Sequence, residues 1–241
     1  TYKIKIYGAA TSIGWGSVSA ANTNLQKLTK LVDWGKISGL TSLTGMCSRA
    51  SNLTVAPNYL PSTITDISYL FYSCTSFNQD ISMWDVSRVT SFLATFNLAS
   101  TFNQNIGAWN VSNNTNASSM FNGATAFNNG GSDSIKNWTM PKVTLFRDMF
   151  NGCSNFNQPL TNLVNTSGLA SANAGMDRMF NGCTIFNQDL GSWDVSKVNQ
   201  MPYGVFQSCT AFNNGGSSSI GNWNVSNVTN FQLMFNGCTN F

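Results

Sequence analysis

Residues 71–90 read FYSCTSFNQDISMWDVSRVT, and residues 180–198 read FNGCTIFNQDLGSWDVSKV. Both are copies of one unit, M-F-x-x-C-x-x-F-N-Q-D-I-x-x-W-D-V-S-x-V-T. Working outward from them, the first Phe recurs at Phe71, Phe96, Phe121, Phe150, Phe180, Phe206 and Phe235. A second Phe follows six residues later each time, at Phe77, Phe102, Phe127, Phe156, Phe186, Phe212 and Phe241. A Trp comes next at Trp84, Trp109, Trp138, Trp193 and Trp223, with Leu163 in its place once. A degenerate copy runs before these, through Trp34, Met46-Cys47 and Leu53. Self-similarity at a period of 25 to 30 residues is the mark of a stacked repeat.

A unit of this size cannot bury its own apolar face, whereas stacked neighbours can. The apolar positions of one copy, Phe71, Cys74, Phe77, Ile81, Trp84, Val86, Val89 and Phe92, follow neither a sustained helical nor a sustained strand period. Ile81–Val89 has the β-branched and aromatic bias of a strand, and M-F-x-x-C has room for one helical turn. The expected fold is therefore an α/β repeat solenoid. It is a leucine-rich-repeat-like right-handed coil, with one short parallel strand and one helical turn per repeat. Seven coils stacked at strand spacing give a rod of roughly 35 Å. The solenoid is expected over residues 34–241. Residues 1–33 form an N-terminal cap or unmatched segment, in which Thr1–Tyr7 alternates like an edge strand and Asn24–Val32 suits a short helix. The chain starts at Thr1 rather than Met and stops at Phe241 inside a repeat, so a segment of a longer protein, truncated at its C-terminus, is expected.

Composition narrows the function. Of 241 residues, 42% are hydrophobic, enough for a core, and only 9% are charged, against about a quarter in ordinary domains. Every acid is Asp, and there is no His. A net charge of +3 is too weak for a nucleic-acid partner. The basic excess lies in residues 1–49, where Lys3, Lys5, Lys27, Lys30, Lys36 and Arg49 face one acid, Asp33. No run of about 18 apolar residues exists to span a membrane.

Most residues with chemical potential sit in the repeat itself. Cys74, Cys153, Cys183, Cys209 and Cys238 share one slot with Ala99 and Ala124, which marks a small buried position rather than a metal ligand. Asp80 and Asp85, repeated as Asp189 and Asp194, are replaced by Asn105 and Asn110 in the next coil, which suits spaced carboxylates better than a glycosidase pair. Asn78, Asn103, Asn128, Asn157, Asn187 and Asn213 follow the second Phe and suit a ladder of amides satisfying buried turns. No catalytic, cofactor or metal residue is assigned. The Asn-Asn-Gly-Gly loops, with Asp133 in the first and Ser218 in its place in the second, make at most a weak hard-cation site for calcium.

The insertions fall at fixed points, NNGGSDSI at 128–135 and NNGGSSSI at 213–220, with a longer irregular copy after Leu163. Loops on a rigid scaffold carry recognition. The candidate binding residues are Asn129, Gly130, Asp133, Asn214, Gly215 and Ser218, with Asn165 and Asn173 from the 161–173 stretch. Arg88, Lys142 and Lys197 are weaker candidates.

The FNQD-I-x-x-W-D-V-S-x-V-T and M-F-x-G-C-x-x-F strings, over residues 57–241, resemble the BspA-like leucine-rich-repeat surface proteins of bacteria, including repeats of mycoplasma surface proteins. The resemblance implies extracellular display and adhesion to a host-surface or matrix protein or glycan. It carries no active site. A non-enzymatic adhesion or recognition module without cofactor is the leading expectation. The alternative is a structural subunit of a filament, surface layer or virion fibre that binds copies of itself.

Overall fold

A computed structural model describes residues 7–10, 25–166 and 174–241. The chain winds in successive coils, each beginning near one first-anchor Phe, and neighbouring coils run parallel. Bridges join Ser42 to Asp66, Asp66 to Ser91, Ser91 to Asn116, Asn116 to Leu145 and Leu145 to Gly175, one coil at a time. Two short parallel pairings are regular enough to be strands: β1 (Tyr7–Ala9) with β2 (Lys36–Ser38), and β3 (Ala174–Gly175) with β4 (Val198–Gln200).

The hydrogen bonds around the first anchor alternate between two destinations. Tyr69, Phe71 and Ser73 donate their N–H groups to the carbonyls of Leu93, Thr95 and Asn97 in the next coil, at 2.7–2.9 Å. Leu70, Tyr72 and Cys74 donate three residues back, to Ile67, Tyr69 and Phe71, at 3.1 Å. The next coil repeats the pattern with Ala94, Phe96 and Leu98 donating to Ser118, Met120 and Asn122. Every backbone donor of a buried segment is thus satisfied, half locally and half across the stack.

This arrangement corrects the expected helical turn. Among the described residues there is no α-helix, and M-F-x-x-C lies in consecutive three-residue turns. The residue two before the first anchor has positive φ in all seven coils: Tyr69, Ala94, Ser119, Asp148, Arg178, Gly204 and Leu233, between 50° and 71°. A turn with positive φ at its third position needs that left-handed residue, and a left-handed residue cannot continue an α-helix. For a non-glycine residue this backbone costs about 1–2 kcal/mol. The expected strand is also displaced. Ile81–Val89 forms turns, in which Trp84 N–H bonds the Ile81 carbonyl and Val89 N–H that of Val86, and the parallel contact falls at Ser91 instead. The β-branched bias there serves burial, since Ile81, Val86 and Val89 are all buried. In the N-terminal segment, residues 1–6 and Asn24 lie outside the described residues. Only Leu25–Lys27 forms a 3-10 turn, and Lys30 already pairs with Val55.

The core is three aromatic columns along the stack. First-anchor rings follow one another at 5.6 Å between centroids in all six steps from Phe71 to Phe235. Second-anchor rings stack from Phe77 through Phe102, Phe127, Phe156, Phe186 and Phe212 to Phe241 at 5.8–6.1 Å. Near-parallel planes at these separations are offset stacks, a favoured aromatic geometry worth about 0.5–1.5 kcal/mol beyond burial. Trp84 stacks on Trp109 and Trp193 on Trp223. From Trp84 onward the indole N–H groups reach back one coil, from Trp84 to the Pro57 carbonyl, Trp109 to Ile81, Trp138 to Ile106, Trp193 to Leu160 and Trp223 to Leu190, whereas that of Trp34 reaches forward to Tyr59.

Phe121 touches Phe96, Phe127 and Phe150 and is fully buried, whereas Phe241 is 56% exposed. Phe121→Ala is expected to cost about 3–5 kcal/mol and Phe241→Ala about 1 kcal/mol. Urea unfolding followed by Trp fluorescence checks this. Equal losses would show that the columns do not hold the stack.

Candidate recognition surfaces

The repeated polar residues are occupied by the scaffold. Asn78 Oδ1 accepts the Asn103 N–H, and the step recurs from Asn103 to Asn128, Asn157, Asn187 and Asn213, at 2.8–2.9 Å throughout. The thiols of the repeat slot donate to the first-anchor carbonyl of the preceding coil: Cys153 to Phe121, Cys183 to Phe150, Cys209 to Phe180 and Cys238 to Phe206, at 2.8–3.0 Å. All six cysteines are free thiols. Burial pushes Cys47 and Cys209 up to about 12 and holds Cys74, Cys153 and Cys183 well above the usual thiol range. They therefore stay protonated. Asp80 and Asp85 are exposed and each caps a turn, accepting from the N–H groups of Ser82 and Ser87. Among the described residues, no three His, Cys, Asp or Glu side chains gather as a metal-binding set.

The insertion loops divide. Asn129–Gly131 and Asp133–Asn137 are short 3-10 turns, as are Asn214–Gly216 and Ser218–Asn222. Asn129 and Asn214, expected as binding residues, are fully buried. Asn129 accepts from the Ile106 N–H and donates to the Ser132 carbonyl, and Asn214 does the same with Leu190 and Ser217. Both amides tie their loop to the coil before, so they are scaffold. Gly130 and Gly215 are exposed, yet their N–H groups join the Asn ladder at Asn103 and Asn187. Asp133 and Ser218 remain exposed, with Asp133 paired to Lys136. Asn165 is exposed and bridges to Asp194 in the next coil. Asn173 lies outside the described residues. Lys142 donates to Asn113, while Arg88 is exposed.

The loops also explain a sequence detail. Gly107 and Gly191 each precede a coil with an insertion, where the coil at Asp80-Ile81 has Ser82 instead. A Cβ on Gly107 would lie 2.0 Å from Ser134 Oγ, and one on Gly191 2.1 Å from Ser219 Oγ. The inserted serines pack onto these glycines and donate to Asn105 and Asp189.

One cluster escaped the sequence reading. Residues 147–148 are Arg-Asp, and residues 177–178, in the same slots one coil later, are Asp-Arg. Arg178 grips Asp148 through Nε at 2.7 Å and Nη2 at 3.0 Å. Arg147 lies 3.6 Å from Asp148 and 3.9 Å from Asp177. Asp177 Oδ1 is buried and, among the described residues, has no hydrogen-bond partner. The reversed dipeptide before the two M-F pairs was the available signal.

Residues 41–163 and 130–241 match the family described as Mycoplasma protein of unknown function, DUF285. The chain belongs to this family. The two matched stretches each take in several coils and together span all seven Phe pairs, so this family's pattern is the repeat itself. No curated protein and no solved structure matches the chain.

Two experiments follow. Gly107→Ala is expected to lower stability by about 1–3 kcal/mol through overpacking, whereas Gly221→Ala, with open space around it, should be neutral or mildly stabilising in chemical denaturation. The second concerns pH. Bonds from Ser82, Ser87 and Ser219 hold Asp80, Asp85 and Asp189 below the usual carboxylate range. Their contribution is complete above about pH 4 and is lost as pH falls through the lower folded values. Asp177 runs the other way: burial raises it against the pull of Arg147 and Arg178, so its contribution is lost as pH rises through its folded value. Urea midpoints measured from about pH 3 to 7 should therefore fall at the acid end, and Asp177→Asn should raise the midpoint most at pH 7.

Proposed function

We propose that the chain is a non-enzymatic extracellular recognition module, a BspA-like leucine-rich-repeat solenoid displayed on a surface and binding a host-surface or matrix protein or glycan. The observation that carries the proposal is the fate of the reactive residues. The thiols, the Asn ladder and the indoles bond to the neighbouring coil in the same slots of successive repeats, and the carboxylates of Asp80 and Asp85 cap turns of their own coil. Such a chain spends its chemistry on holding a long, regular surface, and an extended surface is what stacked repeats offer to partners. Low charge fits a protein or neutral glycan partner better than nucleic acid. Among the described residues, no helix is long and apolar enough to cross a membrane.

The test is a binding screen of the folded chain against immobilised collagen, laminin and fibronectin and against a glycan array. Saturable binding to at least one of these surfaces is expected. A chain with an intact cooperative unfolding transition that binds none of them would contradict the proposal.

A further inference from the structure

A stack of near-identical coils has its own way to misfold. Successive coils offer the same slots to a neighbour, so a coil that is skipped leaves a stack with most of its contacts intact. The problem is sharpest in the middle of this chain. Phe150, Phe180 and Phe235 each open the same four residues, Phe-Asn-Gly-Cys, and Phe121 opens Phe-Asn-Gly-Ala. The N–H groups of Phe121, Phe150, Phe180 and Phe206 all reach carbonyls of the next coil at 2.9–3.0 Å. Neither these bonds nor the Phe columns distinguish one following coil from another.

Two slots do. Of the seven coils, only two carry charge at the positions three and two residues before the first anchor, and they are neighbours with the order reversed, Arg147-Asp148 and Asp177-Arg178. The reversal sets opposite charges over each other in both columns. Arg178 grips both oxygens of Asp148, at 2.7 and 3.0 Å, and Arg147 lies 3.9 Å from Asp177. Asn151 adds a bond to Asp148 at 3.0 Å, and the Tyr203 ring of the following coil lies 5.9 Å from the Arg178 guanidinium. Both carboxylate side chains are only 10% exposed, so water cannot stand in for a lost partner.

The coils on either side hold Ser118-Ser119 and Tyr203-Gly204 in these slots. Skipping the coil of Phe180 would set Arg147-Asp148 against Tyr203-Gly204. Skipping the coil of Phe150 would set Asp177-Arg178 against Ser118-Ser119. Either way a nearly buried carboxylate loses its cation from the neighbouring coil, and an uncompensated buried charge is far more destabilising than the intact pair is stabilising. Such a group discriminates between arrangements without adding much to the stability of the correct one, as a single polar layer does in setting coiled-coil register.

We propose that the quartet of Arg147, Asp148, Asp177 and Arg178 is a register lock, which makes the coil of Phe180 the accepted neighbour of the coil of Phe150 and rejects coil-skipped stacks during folding. The inference is independent of the recognition reading, and a chain that binds no partner leaves it standing.

Charge inversion tests it, because each residue required already occupies the same slot one coil away. The left-handed slot holds Asp148 at φ 56° and Arg178 at φ 50°, so exchanging them makes no new demand on the backbone. One variant, Arg147→Asp with Asp148→Arg, sets like charges over each other in both columns. A second, Asp177→Arg with Arg178→Asp, does the same from the other coil. A third combines all four changes and restores opposite charges. A neutral variant, Arg147→Ser, Asp148→Ser, Asp177→Leu and Arg178→Ala, borrows the residues that two other coils carry in these slots.

Each chain is unfolded in urea with a reductant, refolded by dilution and given a short pulse of a maleimide. Cys153 and Cys183 are fully buried in the correct stack, so their alkylation, read by mass spectrometry, counts chains with either coil looped out. Each two-residue inversion should raise the labelled fraction at least about tenfold over the unaltered chain, and the four-residue inversion should return it to within about twofold. The neutral variant should be labelled at least about fivefold more than the unaltered chain, while the urea midpoint of its unlabelled fraction is unchanged or higher. Labelling of the four-residue inversion as heavy as that of the two-residue inversions would show that the charges do not act across the coils and would overturn the inference. A neutral variant that refolds as faithfully as the unaltered chain would overturn it as well. A neutral variant whose midpoint falls in step with its labelling would make the quartet an ordinary stabilising contact, which also overturns it.

Discussion

Each coil must hand about half of the N–H groups around its first anchor to the next coil, and this constraint governs the rest of the structure. The bonds run from Tyr69, Phe71 and Ser73 to Leu93, Thr95 and Asn97, so a coil is complete only when its neighbour is in register. Register in turn fixes the side chains. With the backbones locked one coil apart, a first-anchor Phe meets the Phe of the same slot in the next coil at 5.6 Å, besides the second anchor of its own coil at 4.0–4.4 Å. The alternating local bonds need a left-handed residue two before each anchor, which is why that conformation recurs in every coil whatever the residue. Hydrogen bonding sets the spacing, and burial of apolar side chains, aromatic and aliphatic, supplies most of the favourable energy.

The same constraint accounts for the polar residues. A coil whose backbone bonds are directed along the stack leaves carbonyls at its corners that only a side chain can meet. The Trp indoles and the Cys thiols serve those carbonyls, and the Asn amides accept from N–H groups at the turn after the second anchor. These are chemically capable groups held in a structural office. Among the described residues the exceptions are Ser48 Oγ and Asp177 Oδ1, buried oxygens without a hydrogen-bond partner, the second of them on a carboxylate beside Arg147.

Much of this was legible in the sequence, for a physical reason. Phe77 to Phe241 and Trp84 to Trp223 announce themselves because stacked identical coils force identical residues into each layer. The Asn ladder was legible on the same ground. Local conformation was less so. Phe71 and Cys74 sit three apart, as on a helix face, but they are both inward because of two consecutive turns, and nothing about Tyr69 advertises a left-handed backbone. Ile81, Val86 and Val89 are β-branched for burial rather than for pairing. Asn129 and Asn214 looked like solvent-facing loop residues because Asn-Asn-Gly-Gly is ordinarily a surface turn. Here Gly107 and Gly191 open room for the loop to fold back onto the stack, a compensation that can be read only by comparing successive coils. The Arg147-Asp148 and Asp177-Arg178 reversal is of the same kind.

If coils are interchangeable layers held by register and aromatic columns, removing one whole layer should leave a working stack. Deleting residues 97–121, with Ser82→Gly to keep a glycine beneath Ser134, joins Phe96 directly to Asn122, and every slot of the following coil then falls on its counterpart. The account predicts a folded protein with one sharp urea transition, a smaller unfolding slope and a modestly lower midpoint. A chain that is unfolded in the absence of denaturant after this deletion would contradict it.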